Sequence, residues 1–289
     1  MVSRVKRTLG GSKACKVGHS GTLDPFATGL LIILLGQGTK LSNFIMSGDK
    51  KYLATMRLGV ETDTLDPTGK IIGTMDVPDF DQRYLTEKSQ DFLGNIEQTP
   101  PLYSAVKFKG ARAYKLARKG MDVQLRKRTV TIHSLRILSV DLPDVTMEIV
   151  CSSGTYIRSL AADLGRKLGT GAHLKSLRRL ASGSFGVEEA ISSEKIFSEG
   201  IHALLQDRMI SLNSALPDMQ EVVIEEDLEK RVRSGYQPSR SETVSRLKPV
   251  ACSNGHIKLT REGELVAVLE IRNSEYVGQD SVKITRVFF

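Results

Sequence analysis

Six consecutive apolar residues, Leu30 to Leu35, follow a loop bounded by Gly18 and Gly21 and ending in Asp24-Pro25. Such a run has to be buried, so it anchors one end of the loop in a core. Glycine and proline restrict how the loop leaves that anchor. The carboxylate of Asp24 is thereby held against the body of a domain without lying inside it. Taken alone, an aspartate before proline is a turn residue. Thr-Leu-Asp-Pro also occurs a second time, at Thr64 to Pro67, so the tetrapeptide by itself identifies no site.

The chain has 289 residues, enough for one large domain and a small one, and its 40% apolar content can build a core. A formal net charge of +8 favours a polyanionic partner, nucleic acid ahead of an anionic membrane. The plain alternative is a basic protein kept soluble by its charge. No stretch has the roughly 18 apolar residues needed to span a bilayer, and the basic opening Met1 to Lys13 is not followed by the apolar run of a signal peptide. Cys15, Cys151 and Cys252 are far apart, and no histidine pairs with them at metal spacing. These features point to a reducing cytoplasm, no disulfide and no metal. A dinucleotide glycine fingerprint and a Walker loop are also missing, so no cofactor is expected.

Val2, Val5 and Leu9 share one helical face, and Thr39 to Met46 reads as a second helix. Lys51 to Val60 alternates as a strand, with Tyr52, Ala54, Met56 and Leu58 on one side. Thr62 to Gly69 has the recurrent carboxylates of a calcium loop, but Pro67 interrupts it and no closing glutamate follows, so a turn is expected. A short helix is expected over Thr86 to Leu93. Thr99 to Gly120 holds Lys107, Lys109, Arg112, Lys115, Arg118 and Lys119 without one acidic residue, interleaved with Tyr103, Phe108 and Tyr114. Cations suit phosphates and aromatic faces suit unpaired bases, so RNA contact is favoured over a merely solvated basic helix. Arg126 to Arg128 extends the patch.

Val130 to Val140 and Val145 to Cys151 are strand-like. Ile157, Leu160, Ala161, Leu164 and Leu168 then fall at helical spacing, with Gly169 as the stop. Tyr156 and Arg158 thus sit in a first turn beside a strand end. Ser192 to Gln206 and Glu225 to Arg233 are helical, and the tail from Ile257 to Phe288 is a series of short strands suggesting a compact β-barrel.

Three segments resemble the TruB family of tRNA pseudouridine synthases. They are Gly18 to Lys40, which reads GHSGTLDPFATG, then an apolar run, then GQGTK; Pro100 to Tyr114, which reads PPLYSAVKFKGARAY; and Gly154 to Arg158, which reads GTYIR. The pattern from Lys51 through Leu58-Gly59 to Thr62-Asp63-Thr64 extends the likeness. The resemblance implies a mixed α/β (α+β) pseudouridine synthase domain over residues 1–215 with a central mixed sheet. It further implies an RNA-gripping insertion near 100–130 and a PUA-like β-barrel over 218–289. It implies isomerisation of uridine to pseudouridine at position 55 in the T-loop of tRNA, with Asp24 as the catalytic carboxylate. Arg158 would pair with Asp24, Tyr52 would stack on the target base, and Tyr156 would lie in the same site. Leu177 would pack over the base and His19 would fill the space the base vacates. Each has a plainer reading: a core strand aromatic, a surface ion pair, a core leucine, a structural histidine. TruB-like chains open with a further strand and a Lys-Pro-x-Gly motif, and this sequence begins at the helix that follows them.

The isomerisation breaks one bond between base and sugar and forms another, so nothing enters or leaves. It needs an ionised carboxylate, which Arg158 beside Asp24 would favour, and an extruded base, at a cost of about a few kcal/mol. Attack on base and attack on sugar are both open. The expected partner is the tRNA T-arm, with no membrane, no protein partner and a monomer. Two other readings stand beside this one: a non-catalytic tRNA-binding or tRNA-folding protein, and a base-exchange transglycosylase, which would normally carry zinc.

Overall fold

The computed structural model describes residues 1–11, 15–104, 106–108, 110–117, 121, 123–198, 205, 208–243, 255–272 and 281–289. The chain opens on helix α1 (Val2–Thr8), with Val5 buried. Strands β1 (Val17–Ser20), β2 (Thr28–Gly29) and β3 (Ile32–Leu35) follow. The apolar run is therefore not one element. It begins just after β2 and ends as β3, with Leu30 and Leu34 buried and the others partly so. A 3-10 segment, Gly36–Leu41, leads into α2 (Ser42–Met46), so the helix expected over Thr39 to Met46 is α-helical only in its second half.

Strand β4 (Lys50–Leu58) buries Ala54, Met56 and Leu58 on one side, as its alternation requires. Strands β5 (Val60–Thr62) and β6 (Ile71–Thr74) close a hairpin around the expected turn. Helix α3 (Gln82–Ser89) starts ahead of the expected Thr86 because the Asp81 carboxylate caps it, accepting the Tyr84 N–H at 2.7 Å. After β7 (Gly94–Gln98), the basic stretch is not one helix. Its described residues form a small hairpin, β8 (Lys107–Phe108) with β9 (Ala111–Arg112), and a short helix α4 (Ala113–Ala117).

Strands β10 (Arg128–Asp141) and β11 (Asp144–Cys151) match their expected positions. Helix α5 (Ile157–Lys167) ends near Gly169, whose φ of 76° is the left-handed stop the sequence announces. Strands β12 (Ala172–Ser182), β13 (Phe185–Gly186) and β14 (Gln220–Val223) follow, then a helix over Glu226–Arg233. The tail holds β15 (His256–Arg261), β16 (Glu264–Arg272) and β17 (Ser281–Val287).

The chain divides into two compact units. One comprises Thr22–Leu31 and Met46–Ala190. Its sheet has the order β13-β12-β4-β11-β10-β7, antiparallel along that path, with β2 added parallel to β12. One face buries Ala54, Met56, Met147, Ile149 and Leu174 in the same core as Ile157, Leu160 and Leu164 of α5. The other face is polar: Lys51 pairs with Glu148 at 2.9 Å, Arg57 with Asp144 at 3.0 Å, and Thr55 bonds Thr146 at 3.1 Å. An antiparallel sheet tolerates one wet face, and such exposed pairs add little. The packed face therefore holds this unit together.

The other unit comprises Met1–Gly21, Ile32–Ile45 and Ile191–Phe289. Strands β1 and β3 pair antiparallel in it. The tail forms a sheet of order β14-β15-β16-β17, with β14 parallel to β15, over a core that includes Val222, Val232, Ile257, Leu259 and Leu269. Within this unit the N-terminal segments hold the C-terminus. Lys40 Nζ donates to the Val287 carbonyl at 2.7 Å, and Phe44 meets His256 edge-on at 5.3 Å.

Candidate active site

Asp24 sits in the turn that the sequence suggests. Its carbonyl accepts the Ala27 N–H at 3.0 Å, and β2 then locks the loop onto β12. The turn leaves the carboxylate partly exposed and aims it at Arg158 on the first turn of α5. The guanidinium grips both oxygens, Nε to Oδ2 at 2.9 Å and Nη2 to Oδ1 at 2.8 Å. This is the bidentate geometry in which arginine and carboxylate bind most strongly. Arg158 is 3% exposed, so the pair is no surface ornament.

A second carboxylate, Asp66, reaches the same guanidinium, with Nη1 to Oδ2 at 3.4 Å. Asp66 comes from the repeated Thr-Leu-Asp-Pro. Its Oδ1 accepts Thr64 Oγ1 at 2.7 Å, Thr68 Oγ1 at 2.6 Å and the Thr68 N–H at 3.0 Å. The carbonyls of Thr64 and Tyr103 take two further guanidinium bonds, at 3.2 and 3.1 Å. One buried cation thus serves two carboxylates. The second copy of the tetrapeptide is the signal that could have identified Asp66.

Arg158 acts on Asp24 in the expected direction, toward the ionised form, but burial outweighs it. Burial pushes its carboxyl above the ordinary value, Arg158 pulls it down by charge and hydrogen bonding, and Asp66 pushes it up again; burial is the largest of these. Asp24 is therefore more basic than a free aspartate, although it is held in an ion-pair geometry.

Tyr52 lies on the packed side of β4, opposite Ile149 of β11 and Arg179 of β12. Burial raises its hydroxyl pKa, a hydrogen bond and charge from Arg179 lower it, and the Asp24 charge raises it. The Asp24 field therefore reaches the Tyr52 hydroxyl. Leu177 is opposite Ala54, one pair along the same face, and is buried in the core. Arg179 shares the face of Leu177 and is 1% exposed. The period of two from Leu177 to Arg179 was the available clue, once His173 to Leu180 is read as strand.

Tyr156 is the N-cap of α5, and the Arg128 guanidinium lies over its ring at 5.8 Å. Its backbone is held by another residue that the sequence reading passed over. The buried Gln98 amide donates to the Tyr156 carbonyl at 3.0 Å and accepts its N–H at 2.7 Å. Asp24, Tyr52, Tyr156, Arg158 and Leu177 all belong to the unit of the central sheet. His19 belongs to the other unit, on β1. Its Nδ1 is buried without a partner among the described residues, and its carbonyl accepts Ser42 Oγ at 3.3 Å.

Arg112 and Lys115 are exposed beside the β8-β9 hairpin. The Lys107 backbone lies in β8, and Lys109 and Arg118 fall outside the described residues. Lys127 is paired with Glu97 at 3.4 Å. Among the described residues no cluster of histidine, cysteine or carboxylate side chains could hold a metal ion, and no helix is long and apolar enough to cross a membrane.

Comparison with known proteins sets this geometry in context. Residues 6–157 match the family model described as TruB family pseudouridylate synthase (N terminal domain). Residues 158–223 match that of the tRNA pseudouridylate synthase B C-terminal domain. The tRNA pseudouridine synthase B of Syntrophus aciditrophicus is 43% identical over 295 residues, covering 100% of this chain and 93% of the relative. That of Geobacter sulfurreducens is 39% identical, covering 93% of this chain and 88% of the relative. A chain of a solved Cbf5-Nop10-Gar1 complex superposes with a TM-score of 0.73 at 25% identity, covering 100% of this chain and 80% of that one.

Proposed function

Because this chain belongs to the TruB family of pseudouridylate synthases, we propose that it isomerises uridine to pseudouridine at position 55 in the T-loop of tRNA, with Asp24 as the catalytic carboxylate. The observation that carries this reading is the bidentate grip of buried Arg158 on a partly exposed Asp24. The grip fixes the direction of the carboxylate and supplies the cation that its ionised form needs. Burial makes that carboxylate more basic than usual, which strengthens it as a nucleophile or proton acceptor. In this reading Tyr52 stacks on the extruded base, Leu177 packs against it, and Tyr156 lines the site. His19 fills the space that the base leaves. Arg112 and Lys115, with Lys107, Lys109 and Arg118, contact the phosphates of the T-arm. The tail acts as a PUA-like RNA-binding module after residue 218, and the enzyme works as a monomer in the cytoplasm.

The test uses an unmodified tRNA transcript, with pseudouridine mapped along its length after incubation. The wild-type chain should modify the T-loop uridine alone. Asp24→Asn should bind the tRNA with wild-type affinity and leave the uridine intact. Normal turnover by that variant would reject the role of Asp24. Binding without modification by the wild type would favour a tRNA-binding or tRNA-folding protein instead. Activity should fall on acidification with a midpoint above the ordinary aspartate range, because the carboxyl is raised and must be ionised to act.

A further inference from the structure

We infer that Arg179 is a positioning residue that joins the Asp24 loop and the Tyr52 hydroxyl in one buried clamp. Among the described residues its side chain heads the fully buried ones in size, at 1% exposed. Taking a guanidinium out of water is costly, and an apolar side chain of similar length could fill the same space. What arginine supplies is several donors in a fixed plane.

Those donors reach two parts of the proposed site. Nε donates to the Leu30 carbonyl at 2.8 Å, and the guanidinium, on the residue opposite Tyr52 in the sheet, lowers the pKa of the Tyr52 hydroxyl by its charge and by hydrogen bonding. The Arg179 backbone secures the same loop, because its carbonyl accepts the Leu30 N–H at 2.9 Å. Gly29, with φ of 94°, makes this approach possible: a Cβ there would stand 2.2 Å from the Arg179 carbonyl oxygen. Leu30 lies at the root of the loop that carries Asp24, and Tyr52 is directly opposite Arg179 in the sheet. A shift of Arg179 therefore moves the carboxylate and the hydroxyl relative to each other. Arg158 fixes Asp24 from the helix side, and Arg179 fixes it from the sheet side.

The proposal rests on the assignment of Asp24 and Tyr52 to the reaction, so its test has one arm that needs turnover and one that does not. In the first, Arg179→Met, Tyr52→Phe and the double variant are compared under single turnover with saturating enzyme on unmodified tRNA. Arg179→Met should slow isomerisation about ten- to a hundredfold, with tRNA affinity within about twofold of wild type. Its effect should shrink in the Tyr52→Phe background, because the hydroxyl it holds is gone. Full activity of Arg179→Met, or effects that multiply as independent ones, would overturn the clamp.

In the second arm the 13Cζ resonance of Tyr52, assigned from Tyr52→Phe, is followed in the free protein. It should move when Arg179 is replaced, and an unmoved resonance would overturn the contact. If Arg179→Met does not fold, Arg179→Lys carries the same comparisons. Its single ammonium cannot serve Leu30 and Tyr52 together, so its rate should fall between the others. A wild-type chain that leaves tRNA unmodified, with the Tyr52 resonance still shifting, would sink the functional reading and leave the clamp standing.

Discussion

Replacing Arg158 by methionine tests the electrostatics of the site most directly. The guanidinium makes five hydrogen bonds: two to Asp24, one to Asp66 and one each to the carbonyls of Thr64 and Tyr103. Methionine fills a similar volume and makes none of them. Two carboxylates are then left facing each other without a counterion, and the side chain of Asp66 is only 7% exposed. Removing one partner of a buried ion pair costs about 3–5 kcal/mol, so urea unfolding at neutral pH should show a loss of that size with an unchanged slope. The loss should depend on pH in a defined direction. Both effects that lower the Asp24 pKa come from Arg158, while burial and Asp66 remain to raise it. In the variant the folded-state pKa climbs further above the unfolded value. A carboxyl raised on folding favours the folded state when protonated, and that contribution is lost as pH rises through the folded pKa. The deficit should therefore be greatest at neutral pH and shrink in mild acid. A deficit below about 1 kcal/mol, or one that is flat with pH, would refute the picture of one buried cation balancing two carboxylates. Arg158→Lys keeps the charge without the planar grip and should fall between the two.

Gln98→Leu should destabilise by about 1–3 kcal/mol for each Tyr156 backbone group left unpaired, read by thermal unfolding, and should slow isomerisation more than it weakens tRNA binding. Lys50, buried with its Nζ on the Met46 and Gly48 carbonyls, has its pKa lowered to about 8, first by burial and then by Arg179. A lysine depressed on folding disfavours the folded state while it is charged. Wild-type stability should therefore gain a contribution as pH rises from about 8 toward the unfolded lysine value, and Lys50→Met should lose that gain. Charge reversal at Arg112 and Lys115 together should weaken tRNA binding and reduce the steepness of its salt dependence, with single-turnover chemistry at saturating enzyme unchanged. An unaltered salt slope would remove this hairpin from the RNA surface.

Local chemistry along the chain was enough to place most of the elements. The alternation of β4 and the apolar spacing of α5, with Gly169 as its stop, needed no tertiary information. The glycines and proline around Asp24 announced a turn, and a turn is there. Capping was harder to read: α3 begins where the Asp81 side chain captures an N–H, which periodicity does not register. Which polar residues meet was settled by the tertiary structure, because β4 pairs with β11 and β12 from far along the sequence and α5 packs on the face they share. Only those pairings bring Asp66 to the guanidinium already holding Asp24, and place Arg179 beneath Tyr52. They also decide the sign of the Asp24 pKa shift, since a charge partner can be guessed from a motif, whereas the burial that outweighs it depends on everything packed around the site.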